Sequence, residues 1–482
     1  MTDGRPVRRR PRSGRAVALL LSLLCAGAAK ASATEPPREE TAPVGPPGIS
    51  RPASVPARDA SAQSARPDDA PPRNCLPDDQ GRNPCPTHLL RPVAMPLSAM
   101  ARLGKALFFD EALSGSGHLS CASCHVPSAH YAPVDDAVFA RGGAAMDRVG
   151  RRAVPSLTYR ERQPPFSIGP DDPTNEGAPP IPSPAPTQGP GARAAKSAAG
   201  AGASALAMVP QGGLFWDGRA DTLQAQAAGP LYDPREMASN RDILIGRLRH
   251  APYTAALLRL AGPYASDDML ISEALFALAR YQIEDIAFHP YTSRFDAWLE
   301  GKIHLNPDEA EGLRLFNDPA KGNCAACHLS AVTKDHLPPL FTDHQYEALA
   351  APRQPLAEPG IVDLGLCEAG RPDIGTNGAY CGFFRTPSLR NTATRRHFFH
   401  NGVFTTLRQV MDFYALRDLS PGRFYPRDEN GRVRLYDDLP PQYRANVDTL
   451  DAPFGKRHAP ALTEAEREKI IAFLGTLTDG ER

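Results

Sequence analysis

The sequence has no excess of charge of either sign: 54 basic residues balance 54 acidic ones among 482 residues, and the pI is about 7.2. Nucleic-acid-binding proteins carry a basic stripe or patch, so this balance argues against that class. Strand signals are scarce. Beyond a short N-terminal segment, no stretch is long and apolar enough to cross a membrane. These absences predict a mainly helical protein with no nucleic-acid partner and no membrane span in the mature chain.

Proline and glycine, in contrast, are abundant, with 51 and 39 residues respectively. Both residues interrupt regular structure, so much of the chain should be loop. Residues 32–72 are rich in Pro, Ala, Arg and Asp and have almost no large apolar side chains, which predicts a disordered linker. Residues 164–213 share this bias and are interpreted as a long flexible loop inside a domain.

The N-terminus has the pattern of a secretory signal. Arginines precede the apolar segment 16–29, which is too short to remain as a membrane-spanning helix. Small residues near Ala31 suit signal peptidase, so residues 1–31 are predicted to be removed on export to the periplasm. An uncleaved membrane anchor is the alternative interpretation.

Two cysteine motifs, each of the form C-x-x-C-H, carry the chemistry of this sequence. They consist of Cys121, Cys124 and His125, and of Cys324, Cys327 and His328. Two thiols three positions apart on a helical turn can each add to a haem vinyl group, and the following histidine then ligates the iron. A zinc ribbon would need its cysteine pairs within ~15–20 residues of each other, whereas these histidines lie 203 residues apart. The sequence therefore predicts two covalently bound haem c groups.

Outside the motifs and the signal, four cysteines remain, namely Cys75, Cys85, Cys367 and Cys381. An even number in an exported chain favours disulfides. Of the three possible connectivities we favour the local pairs, Cys75–Cys85 and Cys367–Cys381. Buried free thiols are the alternative.

A near-repeat precedes each motif: Leu103–Phe108 lies before the first and Gly312–Phe316 before the second. Each segment is interpreted as a helix that packs on its own haem. The predicted fold class is all-α, with two cytochrome-c-like haem domains and long loops. Residues 73–295 would form the N-terminal haem domain, including loop 164–213, and residues 296–482 the C-terminal haem domain.

Local patterns mark several helices within these domains. Apolar residues recur with helical spacing over 97–109 and 267–286. Asn306 and Glu309 around Pro307 have the pattern of a helix start, and Thr463 with Glu466 forms a capping box.

The sixth iron ligands decide whether such a protein is an enzyme or an electron carrier, because an enzyme must leave one iron accessible. Near the first motif, His118 and His130 are interpreted as loop histidines. For the second haem, Met411, Tyr414 and His400 are all candidates, and spacing alone does not choose among them.

Several stretches together form a specific pattern with the second haem motif: Leu103–Asp110, Ser120–His125, Phe215–Arg219, Gln226–Ala227, Glu236–Met237, Thr386–Asn391 and Phe399–Gly402. On these stretches the sequence, from about Leu97 to the C-terminus, resembles the bacterial dihaem cytochrome c peroxidase family, including its MauG-like branch.

The resemblance implies roles around the first haem, which would be the peroxidatic one. Trp216 corresponds to the tryptophan that relays electrons between the haems. Glu236, 20 residues later, corresponds to the distal carboxylate that moves a peroxide proton. Gln226 corresponds to a distal-pocket glutamine, and Pro230 is expected to crowd the open face of the iron. For Gln226 and Pro230, ordinary loop structure is an equally good interpretation.

At the second haem, the resemblance makes the position 14 residues after His400 decisive. Ordinary family peroxidases have Met there, but this sequence has Tyr414, as MauG-like members do. A tyrosinate oxygen favours oxidised iron and would help to stabilise high-valent states. Met411 is the alternative ligand, and His400 is expected to order a haem propionate.

The sequence also departs from the family pattern. No distal histidine that is released on activation is found after the first motif, which predicts an open first haem. The family's inter-haem calcium uses an Asn side chain, and residues 151–160 contain no Asn, so a calcium ion is left open.

The predicted function is that of a periplasmic dihaem peroxidase that reduces hydrogen peroxide with electrons from a small c-type cytochrome or another periplasmic redox protein. Two alternatives are kept: a MauG-like oxidase that modifies a partner protein, and a dihaem electron carrier without enzymatic activity.

Overall fold

The computed structural model describes residues 75–170, 208–374, 378–451, 453–455 and 458–480. The predicted signal peptide (1–31), the predicted linker (32–72) and the interior of the predicted loop 164–213 lie outside the described residues. The described residues all fall within one compact unit, which spans residues 69–482.

Helices dominate the described part of the chain, which contains ten α-helices and several short 3-10 helices. The α-helices are α1 (Ala99–Phe108), α2 (Cys121–Cys124), α3 (Leu223–Tyr232), α4 (Arg241–His250), α5 (Thr254–Ala261), α6 (Asp267–Glu284), α7 (Arg294–Leu299), α8 (Pro307–Asn317), α9 (Leu407–Leu416) and α10 (Glu464–Gly475). The helices predicted over 97–109 and 267–286 correspond to α1 and α6.

The described strands form three small antiparallel sheets of two strands each. They pair β1 (Arg141–Gly142) with β2 (Arg148–Val149), β3 (Ser167–Pro170) with β4 (Met208–Gln211), and β5 (Tyr346–Glu347) with β6 (Phe384–Arg385). The prediction of a mainly helical protein is confirmed, but a strictly all-α class is not. Strands β3 and β4 also occupy the ends of segment 164–213, where the sequence predicted loop, because two to four residues are too few to show strand alternation.

Side-chain caps begin the helices where the sequence predicted them. Asn306 accepts from the backbone N–H of Glu309, and the Glu309 side chain accepts from the backbone N–H of Asn306. Thr463 and Glu466 form the same reciprocal pair at the start of α10. Both caps satisfy N–H groups that the helix itself leaves without partners.

The near-repeat of the sequence reappears as two equivalent helix crossings. A Cβ atom at Gly104 in α1 would lie 1.9 Å from the carbonyl oxygen of Ala277 in α6. A Cβ at Gly312 in α8 would lie 2.0 Å from the carbonyl oxygen of Lys469 in α10. Only glycine allows such close approach of two backbones. In each case the helix before a cysteine motif therefore packs directly on a later helix.

Two large groups of buried apolar side chains surround these crossings. One contains residues of α1, α3, α4 and α6, and the other contains residues of α7, α8, α9 and α10. The N-terminal segment 75–91 packs with the second group: Leu89 belongs to it, and the indole N–H of Trp298 donates to the Gly81 carbonyl at 3.0 Å. The first described residues of the chain are thus held by residues more than 200 positions later.

Candidate functional site

The first cysteine motif forms the short helix α2, and His125 follows it directly. Nδ1 of His125 lies 3.2 Å from the backbone oxygen of Tyr131, which can only accept, so Nδ1 donates and Nε2 is left for a metal. Burial, together with the positive charges of Arg395 and Arg160, lowers the pKa of His125 to about 4. The imidazole is therefore neutral near pH 7, the form that ligates iron.

The second motif repeats this arrangement. A 3-10 helix covers Cys324–Ala326, and Nδ1 of His328 lies 2.9 Å from the backbone oxygen of Phe341. Both histidines are thus oriented through Nδ1 by a carbonyl downstream in the chain.

The structure separates the motif cysteines from the other four. Cys75 is paired with Cys85, and Cys367 with Cys381, so the predicted disulfide pairing is confirmed. The four motif cysteines belong to neither disulfide. Their thiols remain available for attachment of a cofactor.

A large cavity lies beside the second motif and brings together most of the side chains predicted for the second haem. Its lining includes Cys324, Cys327, His328, Met411, Tyr414, His400 and Trp216. The alternatives left open by the sequence, Tyr414, Met411 and His400, therefore all face the same space.

Tyr414 and Met411 differ in their surroundings, although both lie on α9. Met411 is 5 % exposed and belongs to the apolar core around α8 and α10. Tyr414 stacks on the ring of Phe454, with centroids 5.1 Å apart. Burial raises the pKa of Tyr414, and interaction with the thiols of the second motif raises it further. The phenol group therefore lies close to the motif cysteines.

Trp216 lines the same cavity and is held by its backbone and its indole. The indole N–H donates to the Ala153 carbonyl at 3.0 Å, and the Trp216 carbonyl accepts from the Arg385 amide at 2.9 Å. The neighbouring Asp217 pairs with Arg152 at 2.6 Å. These contacts give the indole a fixed position at the edge of the cavity.

Glu236 lies elsewhere, close to the first motif. The charge of Glu236 is among the causes that raise the pKa of Cys124, after burial. Burial raises the pKa of Glu236 itself to about 7, and the charge of Asp233 adds to the rise, whereas Arg219 opposes it. A carboxyl group with this pKa can both accept and release a proton near neutral pH.

Gln226 and Pro230 lie four residues apart on α3 and are partly buried. Because proline has no N–H, the Gln226 carbonyl receives no helical hydrogen bond from position 230. The Pro230 carbonyl accepts from the Met237 amide at 3.1 Å, which ties α3 to the turn that carries Glu236. Neither Gln226 nor Glu236 lines the cavity of the second motif.

Three arginines in the cavity wall could not be identified from the sequence: Arg385, which is buried, and Arg160 and Arg395, which are partly buried. Burial lowers the pKa of each, to about 10 for Arg395. None of them forms an ion pair with a carboxylate among the described residues; Arg395, for example, donates to the Val154 carbonyl at 2.8 Å. No sequence signal distinguishes these arginines from surface ones, because the distinction is burial.

His400 and Asp438 add polar atoms to the same wall. The His400 ring stacks on Phe384 with centroids 3.5 Å apart, and burial lowers its pKa to about 4. Nε2 of His400 is buried without a hydrogen-bond partner and lies 3.9 Å from an oxygen of Asp438. Burial raises the pKa of Asp438 to about 6.

The cavity fits a haem group by the chemistry of its wall. Its apolar surface suits a porphyrin ring, the second motif would supply two thiols and the imidazole of His328, and Tyr414 would supply an oxygen ligand. The arginines of the cavity wall and the unpartnered His400 nitrogen suit carboxylates such as the haem propionates.

The two histidines interpreted from the sequence as loop residues near the first motif do not line the cavity of the second motif. His118 is exposed, and His130 has a positive φ of 53° in the loop after the first motif. The described helices include none with the length and hydropathy of a membrane span.

Comparison with known proteins assigns this arrangement to a family. Residues 98–304 match the family described as di-haem cytochrome c peroxidase. The chain is 30 % identical over 400 residues to the methylamine utilization protein MauG of Paracoccus denitrificans, covering 79 % of this chain and 89 % of that protein. It is also 30 % identical over 336 residues to the cytochrome c551 peroxidase of Nitrosomonas europaea, covering 69 % of this chain and 77 % of that protein.

Among solved structures, a variant of the diheme peroxidase BthA from Burkholderia thailandensis is similar, with a TM-score of 0.68 and 34 % sequence identity. The similarity covers 85 % of this chain and 96 % of that one. The chain therefore belongs to the di-haem cytochrome c peroxidase family, which includes MauG, and is an oxidoreductase with two haem groups.

Proposed function

We propose that this chain is a periplasmic dihaem peroxidase that reduces hydrogen peroxide with electrons from a small c-type cytochrome or another periplasmic redox protein. The observation that carries the proposal is an asymmetry between the two motifs. The second motif shares its cavity with a ligand side chain, Tyr414, whereas a buried carboxyl group, Glu236, lies near the first. In this proposal Tyr414 would saturate the second iron, and the first would be left for peroxide.

In this proposal both haems are covalently attached, one in each of two cytochrome-c-like domains, 73–295 and 296–482. The first is held by Cys121, Cys124 and His125, and the second by Cys324, Cys327 and His328. Tyr414 is taken as the sixth ligand of the second haem, because its phenol lies near the motif thiols and the resemblance places the ligand at this position; Met411, which lines the same cavity, is the alternative. The bound haems supply the redox chemistry.

The protein's own contribution at the first haem is proton transfer. With its pKa raised to about 7, Glu236 takes a proton from incoming peroxide and returns it to the leaving oxygen. Gln226, on the helix tied to the Glu236 turn, would orient the peroxide by its side-chain amide. Trp216, which lines the cavity of the second motif, would carry electrons between the two haem sites.

A calcium ion is not part of the proposal. The 151–160 segment contains no Asn, and the Arg395 guanidinium lies against the Val154 carbonyl of that segment. Positive charge between the sites is supplied here by arginine.

The test begins with the mature protein from the periplasm. Mass spectrometry should find two attached haems and cleavage near Ala31, and the ferric absorption spectrum should contain a high-spin component. Hydrogen peroxide should be reduced rapidly when reduced cytochrome c is present. Two firmly low-spin haems and no turnover would instead identify an electron carrier.

Glu236→Gln tests the proton-transfer role. In the wild type, kcat/KM for peroxide should rise with pH through about 7, because only the deprotonated carboxyl accepts the peroxide proton. The variant should lose this pH dependence and about 10²–10⁴-fold in rate, the usual contribution of a general acid–base group. A variant with wild-type rate and pH profile would refute the role.

One observation favours a second candidate, a MauG-like oxidase that modifies a side chain on a partner protein. Position 414, where the resemblance places methionine in ordinary family peroxidases, carries a tyrosine that lines the cavity of the second motif, and the resemblance associates this tyrosine with MauG-like members. Stoichiometric peroxide without a donor separates the candidates: a long-lived oxidised protein with little turnover, even after cytochrome c is added, would support the oxidase.

A further inference from the structure

Glu236 lies in a tight turn that follows α3. The Glu236 amide donates to the Asp233 carbonyl at 3.0 Å, and the Ala238 amide donates to the same oxygen at 2.9 Å. Ala238 has a φ of 48°, in the left-handed region that few L-residues adopt. A turn of this kind persists only where its surroundings hold it.

The β1–β2 hairpin holds this turn from one side. The Gly143 amide donates to the Glu236 carbonyl at 2.8 Å. A Cβ at Gly142 would lie 2.4 Å from the Arg235 carbonyl oxygen and 2.5 Å from that of Glu236. No side chain fits at position 142, so the hairpin backbone lies directly against the backbone of the turn.

A second glycine holds the turn through a separate segment. The Gly115 amide donates to the Met237 carbonyl at 2.7 Å. A Cβ at Gly115 would lie 2.2 Å from the Ala238 carbonyl oxygen. Residues 235–238 are thus fixed by two separate chain segments, each of which contacts them through glycine backbone.

We propose that Gly115 and Gly142 are positioning residues for the peroxidase reaction, which fix the Glu236 carboxyl group near the first cysteine motif by clamping its backbone. The inference rests on the proposed role of Glu236. Since Glu236 would be the reacting group, the glycines act only through it. A displacement on the order of 1 Å at such a group can cost about 100-fold in rate.

Gly142→Ala and Gly115→Ala test the clamp separately. Each should lower kcat/KM for peroxide by about 10–100-fold, while haem content and the ferric spectrum stay as in the wild type. The rise of kcat/KM with pH near 7 should move to lower pH, because a displaced Glu236 carboxyl group would be more exposed to solvent and its pKa would fall. The charged groups around it are unchanged: Asp233 in its own turn, Arg219 before α3, and Asp135 near Cys124.

Gly150→Ala is the matched control from the segment that follows β2. A Cβ there would meet its nearest atom at 3.7 Å, an ordinary contact, so the variant should keep its rate within about two-fold and its pH limb unmoved. If Gly142→Ala fails to fold, Gly115→Ala still tests the clamp, because Gly115 contacts the turn through a separate chain segment.

A double-mutant cycle separates the clamp from the proposed function. Adding Gly142→Ala to Glu236→Gln should cost no further rate if the glycine acts through the carboxyl. The clamp would be overturned if Gly142→Ala lowered the rate of Glu236→Gln by as large a factor as it lowers the rate of the wild type. It would also be overturned if both glycine variants were fully active while Glu236→Gln was impaired. Full activity of Glu236→Gln would overturn the role of Glu236 itself.

Discussion

At the scale of single residues, the two motif histidines share one contact. Nδ1 of His125 and Nδ1 of His328 each lie within hydrogen-bond distance of a backbone oxygen downstream in the chain. The chemical difference between the two sites therefore comes from other side chains. At the second site that side chain is Tyr414, and near the first it is Glu236.

Tyr414→Met should raise the reduction potential of the second haem, since a neutral thioether favours ferrous iron while a phenolate favours ferric iron. Axial ligands set haem potentials over ~0.8 V, so a rise on the order of 0.1 V or more is expected. Spectroelectrochemistry measures it. Met411→Leu is the control and should leave the reduction potential unchanged. If the potential shifted in Met411→Leu but not in Tyr414→Met, the ligand would be Met411.

At the scale of elements, capping side chains fix where α8 and α10 begin, and glycines allow close contact where two pairs of helices cross. The capping boxes at Asn306 and Thr463 are local, so the sequence predicts them directly. The crossings at Gly104 and Gly312 are not local, because each glycine meets a helix more than 150 residues away. The near-repeat in the sequence indicated the helices but not their partners.

Gly312→Ala should lower the free energy of unfolding by about 1–3 kcal/mol, because the added methyl overlaps the Lys469 carbonyl and forces α8 away from α10. Urea unfolding measures the change. Gly246→Ala in α4 has open space around its Cβ and should instead add about 0.5–1 kcal/mol through helix propensity. Equal effects of the two substitutions would contradict the close crossing.

At the scale of the whole molecule, the N-terminal segment 75–91 contributes to packing far away in the chain. Asn83 donates to the Leu299 carbonyl at 3.0 Å, and Arg91 forms a two-bond pair with Glu300 at 2.8 Å. The Cys75–Cys85 disulfide closes this segment on itself. The domain boundaries predicted from the sequence did not anticipate this packing and stay a prediction.

Replacing Cys75 and Cys85 by serine should cost about 2–4 kcal/mol of stability. The loss should be concentrated where the segment docks, so amide exchange should quicken at Thr87 and Leu305, which donate to Leu299 and Gly81. Replacement of Cys367 and Cys381 is the control and should leave those two amides protected. Unchanged exchange in the first variant would show that docking does not depend on the disulfide.

The sequence by itself determined the haem motifs and the helix caps and favoured the local disulfide pairs, because each depends on residues close together in the chain. The candidate ligands Tyr414 and Met411 were likewise visible from spacing and resemblance. The tertiary structure places both side chains in the cavity of the second motif, with the Tyr414 phenol near the motif thiols. The tertiary structure also decided which arginines are desolvated, how far the pKa of Glu236 is raised, and which glycines contact the backbone of the Glu236 turn. These properties follow from burial and from contacts between segments distant in the chain, which no local pattern encodes.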